Sequence, residues 1–378
     1  MRDTRRFSIG AACLCAAVVV GLSIGRAQAP PPAEPAQPSE PDMAKQFREN
    51  PSRLDRGSRP EEPALDVPVN KNDIGEMLDR RTEAAIKRGL DALKGTQAPD
   101  GSWGGKDDSN CTAYTALSMI AFMLNGHFPA DKAPYGPTLK KALDFHLQDS
   151  KRAVRGYMGT NMYAHGLATL ALSEAWGQTD RDDEIQESLK AAVGVILRAQ
   201  APIGGWRYNP VPGGADVSVT AMQLVALSAA RQAGILVPNQ TIDRAVRYIH
   251  LCRDTASGGF YYTAGGGNPA LARSAAATFS LMMCGRHESA EAIGGVRYLE
   301  SLPAEKFKNC DFFFYGHYYA ALVMSMAGDD HFRAWYPKIR DALLARQGAT
   351  GDWHGALDTP IAIIILSIPY SYVPAYQK

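Results

Sequence analysis

Groups able to do acid–base or metal chemistry gather at a few places in this 378-residue chain. In Asp216-Val217-Ser218-Val219-Thr220-Ala221 a carboxylic acid stands two residues ahead of an alcohol, and Asp216 is the candidate general acid. Cys310, Asp311 and His317 put a thiolate, a carboxylate and an imidazole in one short stretch, the donor types that zinc takes. The plainer account of the same three is a buried thiol, a helix cap and an aromatic-packed imidazole. No metal and no cofactor is therefore expected. Asp216 and Asp358 would suit a glycan hydrolase only if the fold held them roughly 5–10 Å apart.

The elements that must position these groups are framed by composition. Apolar residues make up 46% and charged residues 21%, enough for a large core, and 40 Lys and Arg balance 39 Asp and Glu. Mixed charge of this kind excludes a nucleic-acid binder held by phosphates, which needs a concentrated basic face. Arg2, Arg5 and Arg6 precede an uncharged run, Ile9 to Gly25, closed by small residues around Ala27. That order reads as a signal peptide over residues 1–27, either cleaved or kept as an uncleaved anchor, and predicts an extracytoplasmic (periplasmic or secreted) protein. Contact with a membrane is expected only through that segment. Residues 28–80 are rich in proline and poor in aromatics, the composition of a disordered linker. Cys111, Cys252, Cys284 and Cys310 remain after the signal, either paired or as free buried thiols.

Internal repetition organises the remainder. Gln97-x3-Gly101-x-Trp103, Gln200-x3-Gly204-x-Trp206 and Gln347-x3-Gly351-x-Trp353 share one spacing, so three of only five tryptophans occupy one position of one motif. Asp254-x3-Gly258-x-Phe260 is a degenerate fourth copy, and weaker copies are placed at Gly156-Tyr157 and Phe314-Tyr315-Gly316. Before each copy runs an amphipathic helical pattern; after it runs a helix apolar nearly all round. Six such hairpins over residues 81–378, none able to bury its own apolar face, predict an all-α (α/α)6 toroid with an inner and an outer ring of helices. The Gly is expected to allow a tight turn, the aromatic to fill the gap between hairpins, and the Gln amide to satisfy helix-end groups.

These repeats resemble those of squalene–hopene and oxidosqualene cyclases and of protein prenyltransferase β-subunits; the chain as a whole is similar to secreted planctomycete-type squalene-cyclase-repeat proteins of unestablished activity. Gly204-Gly205-Trp206 leading to Asp216–Ala221 looks like the cyclases' turn before their DxDDTA acid motif. The resemblance implies that the middle Asp protonates an alkene or epoxide, and here Ser218 takes its place. An alcohol cannot do that chemistry. Neither the Asp-x-Cys and His zinc set of the prenyltransferases nor the Gly-Cys-Gly-Glu-Gln of thioester toroids is present.

Parallel inner helices bring their N-termini to one mouth. Asn110, Asn161, Asp216, Asn268, Asp311 and Asp358 are the cap candidates there. Tyr114, Tyr163, His165, Ser218, Thr220, Arg273, Asp311, Tyr315, His317, Tyr318, His354 and Asp358 are the candidates for lining the cavity, a polar rim above an apolar shaft. Six helix dipoles favour anionic or hydroxyl-rich groups at such a mouth. The expectation is an exported toroid that holds a hydrophobic or isoprenoid-like ligand, or a protein, in or near its cavity. The alternatives are an isoprenoid-processing enzyme with a non-standard acid and a glycan lyase or hydrolase; no protein partner is identified.

Overall fold

The computed structural model describes residues 77–104, 108–152 and 156–370. The expected signal peptide (residues 1–27) and nearly all of the Pro-rich segment lie outside them. Among the described residues there are thirteen α-helices and no strand. The first six are α1 (Arg80–Thr96), α2 (Cys111–Met123), α3 (Gly136–Arg152), α4 (Met162–Ala175), α5 (Asp182–Ala199) and α6 (Val217–Gln232). Then come α7 (Asn239–Leu251), α8 (Leu271–Met283), α9 (Ala290–Ser301), the short α10 (Ala304–Lys308), α11 (Phe313–Ala327), α12 (Asp329–Leu344) and α13 (Asp358–Ser367).

Two kinds of helix alternate. In α1 the buried residues Ala85, Ile86, Gly89, Leu90 and Leu93 make one stripe, and charged residues fill the other face. In α2 every residue from Thr112 to Met123 is buried, and in α13 every residue after Asp358. A helix without a polar face needs cover on all sides, so α2, α4, α6, α8, α11 and α13 pack side by side, each backed by an outer helix. The series closes because α13 packs against α2 as well as α11. The chain is an (α/α)6 toroid, as its repeats predict.

The motif is the junction between neighbouring repeats. Gln97 Nε2 donates to Gly101 O and to Thr138 O of the next outer helix, both at 2.9 Å. Gln200 does the same to Gly204 O (2.7 Å) and Thr241 O (2.9 Å). Gln347 reaches Gly351 O and, across the seam, Ala85 O of α1, both at 2.8 Å. Each Gly is at positive φ and lies against the next outer helix; a Cβ on Gly204 would sit 2.2 Å from Arg244 O, and on Gly351 2.7 Å from Arg88 O. The indoles of Trp103, Trp206 and Trp353 are buried and donate back to Leu93 O, Ile196 O and Leu343 O at 2.7–2.8 Å.

The motif has a further member that the sequence did not reveal. The backbone N–H of four of the plug residues is received by a hydroxyl on the following inner helix: Thr115 for Trp103, Thr220 for Trp206 and Thr359 for Trp353, each at 3.0 Å, and Ser274 for Phe260 at 2.9 Å. At the second repeat Gly156 takes the turn position against Ala191, and Met158 rather than Tyr157 is the buried plug. The expected copy at Phe314-Tyr315-Gly316 is not a turn: it lies inside α11, and the fifth repeat uses Phe307 of α10 instead.

Two outcomes follow. Gln347→Ala removes the amide that ties Ala85 O to Gly351 O across the seam and is expected to cost about 1 kcal/mol, read by denaturant unfolding. His146 on α3 is fully buried with both ring nitrogens unpartnered, and burial pulls its pKa down to about 3. The unfolded chain takes up that proton below the ordinary value of 6.5 while the folded chain does not, so stability falls as pH drops from 6.5. His146→Leu should retain on the order of 3 kcal/mol more of its neutral-pH stability at pH 4 than the parent does.

Candidate functional site

The mouth is built by the third and fourth turns folding back over the inner helices. Tyr208 O accepts from Met162 N (2.8 Å), covering the start of α4, and Tyr262 O accepts from Val217 N (2.9 Å), covering the start of α6. Each tyrosine lies two residues beyond its plug, and their hydroxyls meet at 3.3 Å. Sequence reading missed this pair, although the shared offset from Trp206 and Phe260 was there to find.

Asp216 is the N-cap of α6: its Oδ1 accepts from Val219 N at 2.9 Å. The residue is fully buried, and Oδ2 has no hydrogen-bond partner. Burial raises its pKa to about 6, against the weaker opposing pull of the Val219 N–H and the Arg207 charge. Ser218, half-buried, neighbours the hydroxyl of Tyr315, which makes no well-formed hydrogen bond of its own. Ser218 therefore offers a neutral alcohol at a half-buried position, and the acid two residues before it is fully buried.

Below the mouth the axis is closed. Tyr163 on α4 and Tyr319 on α11 join hydroxyl to hydroxyl at 3.1 Å, and Tyr319 donates on to Met222 Sδ at 3.7 Å. In ring order α4 and α11 are the second and fifth inner helices, so this bond spans the toroid. Tyr315 lies 6.0 Å from Tyr163 and 5.1 Å from Tyr319, and Phe279 and Tyr318 pack on Tyr319 at 5.8 and 4.7 Å between ring centroids. The polar rim over an apolar shaft is corrected accordingly: tyrosine side chains cross the shaft and hydrogen-bond inside it.

Several sequence candidates have other roles. Thr220, His165 and His317 do not line a cavity; they are fully buried and hold plug residues. Tyr114 and Tyr318 are buried in the core, whereas Tyr163, Tyr315 and Ser218, at or close to the inner-helix starts, are partly exposed. Arg273 is half-buried and donates to Asn268 O at 2.9 Å. His354 is exposed at positive φ in the closing turn, next to Asp358. Burial also raises Asp358 to about 6, but it starts α13, on the opposite side of the ring from α6. Of the six cap candidates only Asn161 and Asp216 cap with their side chains; the starts of α2, α8, α11 and α13 have no side-chain cap.

The zinc set does not assemble. His317 Nε2 is committed to Phe307 O at 2.9 Å, Asp311 is exposed, and no cluster of three metal-ligating side chains occurs among the described residues. Cys111, Cys252, Cys284 and Cys310 are all free. Among the described residues no helix is long and apolar enough to cross a membrane.

No family model matches the chain, and no curated protein does. Its similarities are to solved structures. The GH76 α-1,6-mannanase of Salegentibacter sp. HEL1_6 matches at 9% identity and a TM-score of 0.56, over 78% of this chain and 98% of that one. A type II terpene cyclase from Scytonema matches at 15% identity and 0.54, over 77% and 97%. Cellobiose 2-epimerase from Bacillus thermoamylovorans B4167 matches at 11% and 0.55, over 76% and 99%. At these identities the likeness establishes the toroidal fold, which serves terpenoid and glycan chemistry alike.

A carboxyl raised to about 6 from 3.8 stabilises the fold below its unfolded value, and that contribution is lost as pH rises through about 6. Asn keeps the cap without the charge. Asp216→Asn is thus expected to stabilise the protein by roughly 1–3 kcal/mol at pH 8 and not at pH 4, read by thermal unfolding at both.

Proposed function

We propose that this chain is an exported, non-cyclising toroid that binds a partner at its mouth while its axis stays shut. The observation that carries the reading is the Tyr163–Tyr319 bond across the ring, which leaves an extended isoprenoid no axial path. Ser218 supports it from the chemical side, because the position that would protonate an alkene holds a hydroxyl. The N-terminal signal pattern supports export. The partner is a hydrophobic or isoprenoid-like ligand lying on the rim, or a protein. Ile203, Val211 and Phe312, in turns on the mouth side, are 49%, 57% and 51% exposed and offer apolar contact beside tyrosine hydroxyls.

A glycan is the second reading, because the rim groups Tyr163, Tyr208, Tyr262 and Tyr315 combine ring faces with hydroxyls. Among the fold neighbours, one structure of the mannanase is in complex with α-1,6-mannotriose and one of the terpene cyclase with geranylgeranyl dihydroxybenzoate. The retained Asp216 would be the acid of any isoprenoid-processing activity.

The test incubates purified protein at pH 7.5 with squalene, geranylgeranyl diphosphate and α-1,6-mannotetraose. Product analysis should find none of them converted, and calorimetry with farnesol should show rim binding that Phe312→Asp weakens at least tenfold. A product that Asp216→Asn abolishes would reverse the conclusion.

A further inference from the structure

The six plug residues are not all held by the same chemistry. Four are received by hydroxyls, on Thr115, Thr220, Ser274 and Thr359, and a hydroxyl keeps its role at any ordinary pH. The other two are held by imidazoles. His165 Nδ1 accepts from Met158 N at 3.1 Å, which fixes the proton on Nε2, and Nε2 donates to Ala192 O of α5 at 3.1 Å. His317 Nε2 donates to Phe307 O at 2.9 Å, and its buried Nδ1 has no partner. These residues lie on α4 and α11, the same opposed helices whose Tyr163 and Tyr319 close the axis, with one residue separating each histidine from its tyrosine.

We propose that His165 and His317 are paired acid-sensitive latches whose protonation frees the Tyr163–Tyr319 bridge and opens the axis to an apolar ligand. The geometry supplies the mechanism. A proton on His165 Nδ1 turns the acceptor of the Met158 N–H into a second donor facing it, so the Gly156–Met158 turn loses its anchor. A proton on His317 Nδ1 puts a charged donor without an acceptor among the rings of Phe307, Phe313 and Trp335. Both strains are relieved when the first turn of α4 and the first two turns of α11 move outward, which parts the two tyrosines.

The surroundings of each imidazole reinforce this. The titratable group packed on His165 is Tyr157, at 5.4 Å between ring centroids, and no charged side chain among the described residues acts on it. Near His317 stands the Arg346 guanidinium, stacked 4.3 Å from the Phe313 ring, which also disfavours the imidazolium. Burial, the largest influence on both, holds each at about 4 when the latch is closed, against 6.5 when hydrated. Each histidine therefore favours the open form on the order of 100-fold more at pH 4.5 than at pH 7.5. The hydroxyl latches contribute nothing to that slope.

The proposal rests on the reading that the axis is shut near neutrality, and the experiment separates the two. Hydrogen exchange on the unmodified protein, corrected for intrinsic rates, is followed from pH 7.5 to 4.5. Segments 156–165 and 303–317 should lose protection at least tenfold while 200–220 and 347–359 keep theirs. In parallel the neutral apolar dye Nile red should gain fluorescence several-fold on acidification with near-ultraviolet dichroism retained, and the His165→Asn/His317→Gln pair should abolish the gain. Loss of protection in all four segments together, no loss in any, or an unchanged dye response in the double variant would overturn the gate. Should that variant not fold, the exchange pattern of the parent decides alone. Dye entering at pH 7.5 would instead refute the shut axis itself.

Discussion

A helix with no polar face has to be covered all the way round, and the rest of this structure is the solution to that constraint. α2, α4, α6, α8, α11 and α13 are such helices. Each takes an inner neighbour on either side and an outer helix behind. An open row would leave two of them with a bare flank of buried-type residues, an exposed apolar surface costing roughly 25 cal/mol per Å2. Closing the row removes both flanks at once. The repeated Gln, Gly and plug residues then set the spacing at which the row closes, because each ties the end of one outer helix to the backbone of the next.

The site follows from the same packing. Inner helices that lie parallel present six N-termini to one opening, and the turns entering them must satisfy those N–H groups. The third and fourth turns do so with the carbonyls of Tyr208 and Tyr262, and their side chains roof the mouth. Asp216 serves the same need by capping α6, which gives this acid a structural role next to Ser218. Its unpartnered second oxygen and raised proton affinity both follow from that burial.

How much of this was legible in the chain depends on whether a feature is local. The Gln-x3-Gly-x-Trp spacing is local, and three intact copies were enough to define hairpins, ring and seam. The hydroxyl latches were hidden because their distance from the plug varies: Thr359 is six residues beyond Trp353, and Thr220 is fourteen beyond Trp206. No fixed pattern can find a partner through turns of unequal length. The fifth repeat was misplaced because its turn carries a short extra helix, whose partly buried Phe307 packs on His317 and Trp335, with none of the glycine that marks the other turns. The closed axis was out of reach altogether, since whether Tyr163 meets Tyr319 depends on the diameter of the ring.

The bond from Gln347 to Ala85 is chemically the same as the bonds from Gln97 to Thr138 and from Gln200 to Thr241. The join between the last repeat and the first is thus one more ordinary joint, told apart only by the missing peptide connection. A linear stack of helical pairs can fray from its end units one at a time. A circle fastened this way has no end unit to give up, so losing any single pair exposes two neighbours together and the whole domain stands or melts as one.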